Sequence, residues 1–168
     1  MEFSVVRGDI AAESADALVN AAGTGLRMGS GVAGALRRGA NGPINEEATS
    51  KGPVDLGGVA VTDAYDLDAD NVIHAAAMPH YGDGRATEAS IREATRRSLE
   101  RADELGCESV VIPIFGTGAA GFDFEAGARI VCEAVRDHDP ATLRDARVIA
   151  YTDRDARTVE TVADRVRS

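Results

Sequence analysis

Val110-Val111-Ile112-Pro113-Ile114-Phe115-Gly116-Thr117-Gly118-Ala119-Ala120-Gly121-Phe122-Asp123 is an apolar strand that runs into a glycine-rich turn just ahead of a helix. Such a turn binds anions, because backbone N–H groups left bare by glycine converge on phosphate oxygens and the positive end of the following helix adds to the attraction. A second loop of this kind lies upstream. Asn20-Ala21-Ala22-Gly23-Thr24-Gly25-Leu26-Arg27-Met28-Gly29-Ser30-Gly31-Val32-Ala33-Gly34 also comes after a short apolar run and leads into a helical pattern. Two such cradles suggest a diphosphate.

Outward from these loops, short apolar runs alternate with helical patterns. Strands are expected at Phe3 to Arg7, Ala17 to Ala21, Val59 to Tyr65, Val72 to Ala76, Ser109 to Ile114 and Arg147 to Tyr151. Between Thr87 and Leu105, apolar and small residues (Ile91, Ala94, Ser98, Leu99, Ala102 and Leu105) recur at helical spacing, with Arg and Glu on the other face and Gly106 as the stop. A further helix starts near Asp123, and a last one carries Val159, Val162, Ala163 and Val166. Helix, strand, helix, strand, helix is the pattern of a parallel sheet covered on both faces. The first half has two short helices, about Val32 to Arg38 and Ile44 to Thr49, and a polar turn, Asp66 to Asn71, that suits a hairpin. The expected fold is α/β: a three-layer α/β/α sandwich on a mixed, mostly parallel sheet, with residues 1–168 as one domain.

Composition excludes several functions. The chain has 168 residues, is 44% hydrophobic and carries a net charge of −10, its basic residues being Arg except for Lys51. Nucleic-acid binding draws on clustered basic residues, so no nucleic-acid partner is expected. Sparse lysine with abundant Asp and Glu resembles salt-adapted cytoplasm, where salt screens the self-repulsion. Cys107 and Cys132 have no partner at metal-ligand spacing and read as core residues of a reducing compartment. His74, His80 and His138 form no metal motif, so no metal is expected. No apolar run approaches the roughly 20 residues that span a bilayer, and Phe3 to Val6 carries no secretory pattern, so a cytoplasmic location without membrane contact is expected.

In open α/β sheets ligands bind at the carboxyl ends of strands, where both glycine loops fall. Gly8-Asp9-Ile10, Val19-Asn20-Ala21-Ala22, Gly29 to Leu36, Val72-Ile73-His74 and Ile112-Pro113 leading to Gly116-Thr117-Gly118 occur in the order and spacing of one family. Over essentially its whole length the chain resembles the macro domain family, which binds ADP-ribose. The resemblance implies that Asp9 accepts a hydrogen bond from the adenine amine beside Ile10; the other reading of Asp9 is a cap on the next segment of chain. Tyr151 matches the position of an aromatic ring against adenine, or is a core or rim tyrosine. Gly29, Gly31, Val32, Gly116, Thr117, Gly118, Ala119 and Gly121 would enclose the diphosphate through backbone N–H groups, with Asn20 holding the first loop and the ribose side. On this reading a valine at Gly118 would fill phosphate volume and strain a loop that needs positive φ. His74 reads as a satisfied interior histidine.

The match weakens at catalysis. Hydrolytic members of the best-known type carry Asn-Ala-Ala-Asn and Gly-Gly-Val-Asp-Gly, whereas this chain has Gly23 and Ala33 at the polar positions, and Ala120 where many relatives have an aromatic. The usual general base and substrate clamp are therefore missing. Restoring Asn at 23 and Asp at 33 is expected to restore turnover. Asp123 is the nearest acid to the second loop, but its place and chemistry suit a helix cap better. Arg37 and Arg38 read as solvated surface, with at most one facing the cleft. The functions expected are, first, binding of ADP-ribose or ADP-ribosylated protein without a cofactor. The alternative is hydrolysis of ADP-ribose esters: removal from protein, deacetylation, or 1''-phosphate processing. A third is a regulatory subunit that binds another adenylate.

Overall fold

The computed structural model describes residues 1–80, 84–118 and 121–168. Strands β1 (Glu2–Arg7), β2 (Ala17–Gly23), β3 (Val59–Asp63), β4 (Asn71–Met78), β5 (Ser109–Pro113) and β6 (Asp145–Ala150) form one sheet in the order β1-β6-β5-β2-β4-β3. All neighbours are parallel except β3, which returns antiparallel along β4 with Val59 opposite Ala75 and Asp63 opposite Asn71. The polar turn therefore closes a hairpin at the sheet edge, and the sheet is mixed as its sequence suggests.

Strand periodicity distributes the core over both faces. Val19, Ile73, Val110, Ile112 and Val148 pack beneath α3 (Glu88–Glu104), α4 (Phe124–Asp137) and α5 (Asp153–Arg167). Leu18, Val72, Val111 and Ile149, one residue out of phase, pack beneath α1 (Gly31–Ala40) and α2 (Ile44–Ser50) together with Met28 and Leu36. Three layers result. Both thiols are buried, which pushes Cys107 up to about 11 and Cys132 up to about 12.

Some boundaries differ from the sequence reading. Tyr65 adopts φ +54°, so β3 stops at Asp63, and α1 continues to Ala40, where Asn41 ends it in the left-handed conformation. At the end of α3, Asp103 ties the opposite edge of the molecule together. Burial alone would raise its pKa, but amides of Ala141, Thr142 and Leu143 and the His138 ring hydrogen-bond to its carboxylate and hold it down at about 2.

Parallel order has one consequence for function. The residues just beyond β1, β6, β5, β2 and β4 all emerge on the same edge, so Gly8-Asp9, Tyr151, the Gly116 turn, the Gly23–Gly25 segment and Pro79-His80 share it.

Candidate functional site

On that edge, between β1, β6 and α1, lies a slot of about 390 Å³ lined by Gly8, Asp9, Ile10, Gly31, Val32, Ala35, Arg38, Pro113, Ile149 and Tyr151. Gly31, Ala35 and Arg38 stand at i, i+4 and i+7 and so form one face of α1. Asp9 does act as a cap: its Oδ1 accepts from the Ala11 N–H at 2.9 Å at the start of a short 3₁₀ turn, Ile10–Ala12. The second carboxylate oxygen has no hydrogen-bond partner among the described residues, and Asp9 lines the slot. Tyr151 is 73% exposed and stands at the rim rather than in the core. Ile10 and Ile149 give the slot its apolar floor.

The start of α1 is chemically distinct from that of the longer helices. Thr87, Asp123 and Thr152 cap α3, α4 and α5 with a side-chain oxygen, whereas Ser30 makes no side-chain cap for α1. The first-turn N–H groups are left without an intrahelical or capping partner, and Gly31 and Val32 present them to the slot. Gly31 has φ +62°, a conformation that disfavours any side chain. The loop ahead of it is held from outside. Arg37 donates to the Met28 carbonyl at 3.1 Å and Asn45 accepts from the Met28 N–H at 2.9 Å. Gly34 lets the loop lie back on the helix, because a Cβ there would come 3.0 Å from the Gly29 carbonyl oxygen.

The turn after β5 is built on Gly116 and Gly121, with φ +73° and +72°, and is closed by Gly121 N–H to Gly118 O at 3.0 Å and Phe122 N–H to Gly116 O at 2.9 Å. Thr117 turns its methyl toward α4, where Gly127 makes room for it. Gly29, Gly116, Thr117, Gly118 and Gly121 do not line the slot itself, which reaches this side only at Pro113. Ala119 and Ala120 lie outside the described residues. The expectation for Gly118 is corrected in part: its φ is not positive and a Cβ there would meet nothing within 4 Å, so the conformational demand falls on Gly116 and Gly121.

The placement of Asn20 at the strand end is corrected, whereas the cap reading of Asp123 holds. Asn20 is fully buried within β2 and is not at the cleft surface: its Nδ2 donates to His74 Nδ1 at 3.0 Å. The strand runs on to Gly23, three residues beyond it. His74 is the interior histidine expected, with Nε2 against Thr62 Oγ1 at 2.9 Å, and burial lowers its pKa to about 4. Asp123, the weak catalytic candidate, accepts from the Ala126 N–H at 3.0 Å as the cap of α4 and borders a groove between α4 and α5 instead of the slot.

The two substituted positions also behave differently from simple vacancies. A side chain at Gly23 would bring its Cβ 3.1 Å from the Pro79 carbonyl oxygen, and Ala33 is only 5% exposed in the core beneath α1. Asn at 23 would crowd one backbone and Asp at 33 would stand at a buried position, so restoring the pair carries a structural cost at both. Of the arginine pair, at most one of which was expected at the cleft, Arg38 is the one that lines the slot. Its i+7 spacing from Gly31 is visible in the sequence, and among the described residues it belongs to no ion pair, unlike Arg92, Arg96 and Arg129.

Two larger hollows lie elsewhere. One, of about 590 Å³, borders β3 beside Lys51 and Glu47, and the other, of about 490 Å³, separates α4 from α5 beside Arg129 and Glu133. Both are lined by charges that already pair with each other, at 3.4 and 2.9 Å. Of these three hollows, the slot alone joins an apolar floor to open helix N–H groups.

This fold and slot define an α/β sandwich with a cleft at the carboxyl ends of its strands, lined by the uncapped start of α1. The chain belongs to the Macro domain family, whose model matches residues 19–131. An uncharacterised protein of Sulfolobus acidocaldarius is 40% identical over 158 residues, which cover 91% of this chain and 85% of that one. One of Mycobacterium tuberculosis is 41% identical over 144 residues, 86% of this chain, and the match spans only 40% of the mycobacterial protein. The crystal structure of the Trypanosoma brucei macrodomain in complex with ADP-ribose superposes with a TM-score of 0.82 at 25% identity, covering 95% of this chain and 68% of that one.

Proposed function

We propose that the chain, as one macro domain, binds ADP-ribose or a terminal ADP-ribosyl group on a modified protein, with adenine against Asp9, Ile10 and Tyr151 and the diphosphate on the open N-terminus of α1. The observation that carries this reading is the uncapped α1 N-terminus opening into the same slot that Asp9 lines. Family membership and the ADP-ribose held by the Trypanosoma brucei macrodomain support it. An anion needs local N–H dipoles more than overall charge, so a net charge of −10 is no obstacle: distant carboxylates are screened over about 8–10 Å at physiological salt while the helix terminus acts at contact. Gly116, Thr117, Gly118 and Gly121 would close over the diphosphate from the β5 side. The one acid lining the slot, Asp9, is taken up by the adenine end, and Gly23 and Ala33 stand where hydrolytic relatives carry polar groups, which favours binding over hydrolysis of ADP-ribose esters.

Calorimetric titration with ADP-ribose, ADP and AMP tests the reading. ADP-ribose should bind most tightly and AMP least. Equal affinity for all three would mean that nothing beyond the adenylate is recognised.

A further inference from the structure

Beyond β4, the described residues on either side of 81–83 are held in place. Ser90 Oγ donates to the Ala77 carbonyl at 2.6 Å, Thr87 and Ser90 cap α3 reciprocally, and Ala86 seats on Gly116, where a Cβ would lie 2.5 Å from its methyl. At the near end Pro79 and His80 cover the end of β2. The Pro79 carbonyl lies 3.1 Å from the Cβ position of Gly23, and the His80 ring rests on Gly25 with Nδ1 2.6 Å from the Cβ position there. Bare glycines at 23 and 25 are therefore what lets Pro79 and His80 sit over the strand end.

Strand order fixes where that is. From β1, beside Asp9, β2 is the third strand across and β4 the fourth, about 14 and 19 Å away at the usual strand spacing. A ligand laid from Asp9 across the start of α1 is carried toward Gly23, Gly25 and His80. His80 is exposed, and of the three histidines it alone has no hydrogen bond among the described residues, since His74 and His138 are both engaged. A neutral imidazole offers one donor and one acceptor, which suits a sugar hydroxyl.

We propose that His80 reads the ribose beyond the diphosphate and so sets the preference of this protein for ADP-ribose over ADP. The proposal rests on the ADP-ribose reading of the slot.

The test is titration of wild type, His80→Ala and Gly25→Ala with both ADP-ribose and ADP. Gly25 does not have positive φ, so alanine is unstrained there, and its methyl takes the space of the ring while the imidazole is kept. Both variants should weaken ADP-ribose about tenfold, the effect of one lost hydrogen bond, with the loss confined to that ligand. Equal weakening of ADP, or an undiminished preference for ADP-ribose in His80→Ala, would overturn the role of His80 and leave the slot reading standing. If wild type binds neither nucleotide, both fall together.

Discussion

Asp9 holds two jobs in one carboxylate. One oxygen caps the turn at Ala11, and the residue also lines the slot, so a loss of binding in an alanine variant would mix a broken turn with a lost ligand contact. Serine separates them, since its hydroxyl can still cap while it is too short and uncharged to replace the second oxygen. Asp9→Ser should weaken ADP-ribose by about 1–3 kcal/mol, measured by calorimetry, with unfolding free energy unchanged within about 0.5 kcal/mol. Unchanged affinity would remove Asp9 from the site. At this scale the sequence was legible where chemistry and position agree, as at Asp9, and misleading where a residue's surroundings come from another strand. Asn20 looks like a cleft residue because it precedes a glycine loop, yet it faces His74 of β4 inside the sheet. Which of Arg37 and Arg38 lines the slot was hidden by the ordinary meaning of an arginine pair. Only the bond of Arg37 to Met28 on one side and the slot on the other tell the two apart.

Among the helices of ten residues or more, α1 is the one whose start has no side-chain cap. A helix without a side-chain cap gives up stability, and natural helices commonly recover it with Ser, Thr, Asp or Asn. Ser30 has the right chemistry for that bond and does not make it. Ser30→Asp should add about 0.5–1 kcal/mol to the stability of the unliganded protein by capping α1, because a carboxylate favours a helix N-terminus. The same change should weaken ADP-ribose at least tenfold by occupying the N–H groups and placing a negative charge beside the diphosphate. Denaturant unfolding and titration of one preparation check both signs. A gain in stability with full affinity would place the diphosphate elsewhere. Strand and helix order was readable from periodicity, including the hairpin of β3 and β4, because polar turns and alternating apolar residues act locally. The ends were less so: the halt of β3 at Asp63 and the extension of α1 to Ala40 are set by left-handed residues, Tyr65 and Asn41.

Across the whole molecule, the buried polar chain Asn20, His74 and Thr62 joins β2, β4 and β3 and makes stability depend on pH. The pKa of His74 is lowered from 6.5 to about 4 by burial. Above pH 6.5 neither folded nor unfolded protein protonates it, and its full contribution is present. As pH falls from 6.5 toward 4 the unfolded chain takes up the proton first, and up to about 3 kcal/mol is lost. Urea unfolding at pH 7 and pH 4.5 should show this loss in wild type and a smaller one in His74→Gln. Equal losses would mean that other groups carry the dependence.

If ADP-ribose lies between Asp9 and the open start of α1, the amides of that region must feel it. Chemical-shift mapping of ¹⁵N-labelled protein titrated with ADP-ribose reads this directly. The largest shifts should fall at Gly8 to Ala11, Gly29 to Ala33 and Gly116 to Gly118, with Tyr151 among them. Shifts concentrated instead along β3 and Lys51, or in the groove between α4 and α5, would place the ligand outside the slot and contradict the assignment.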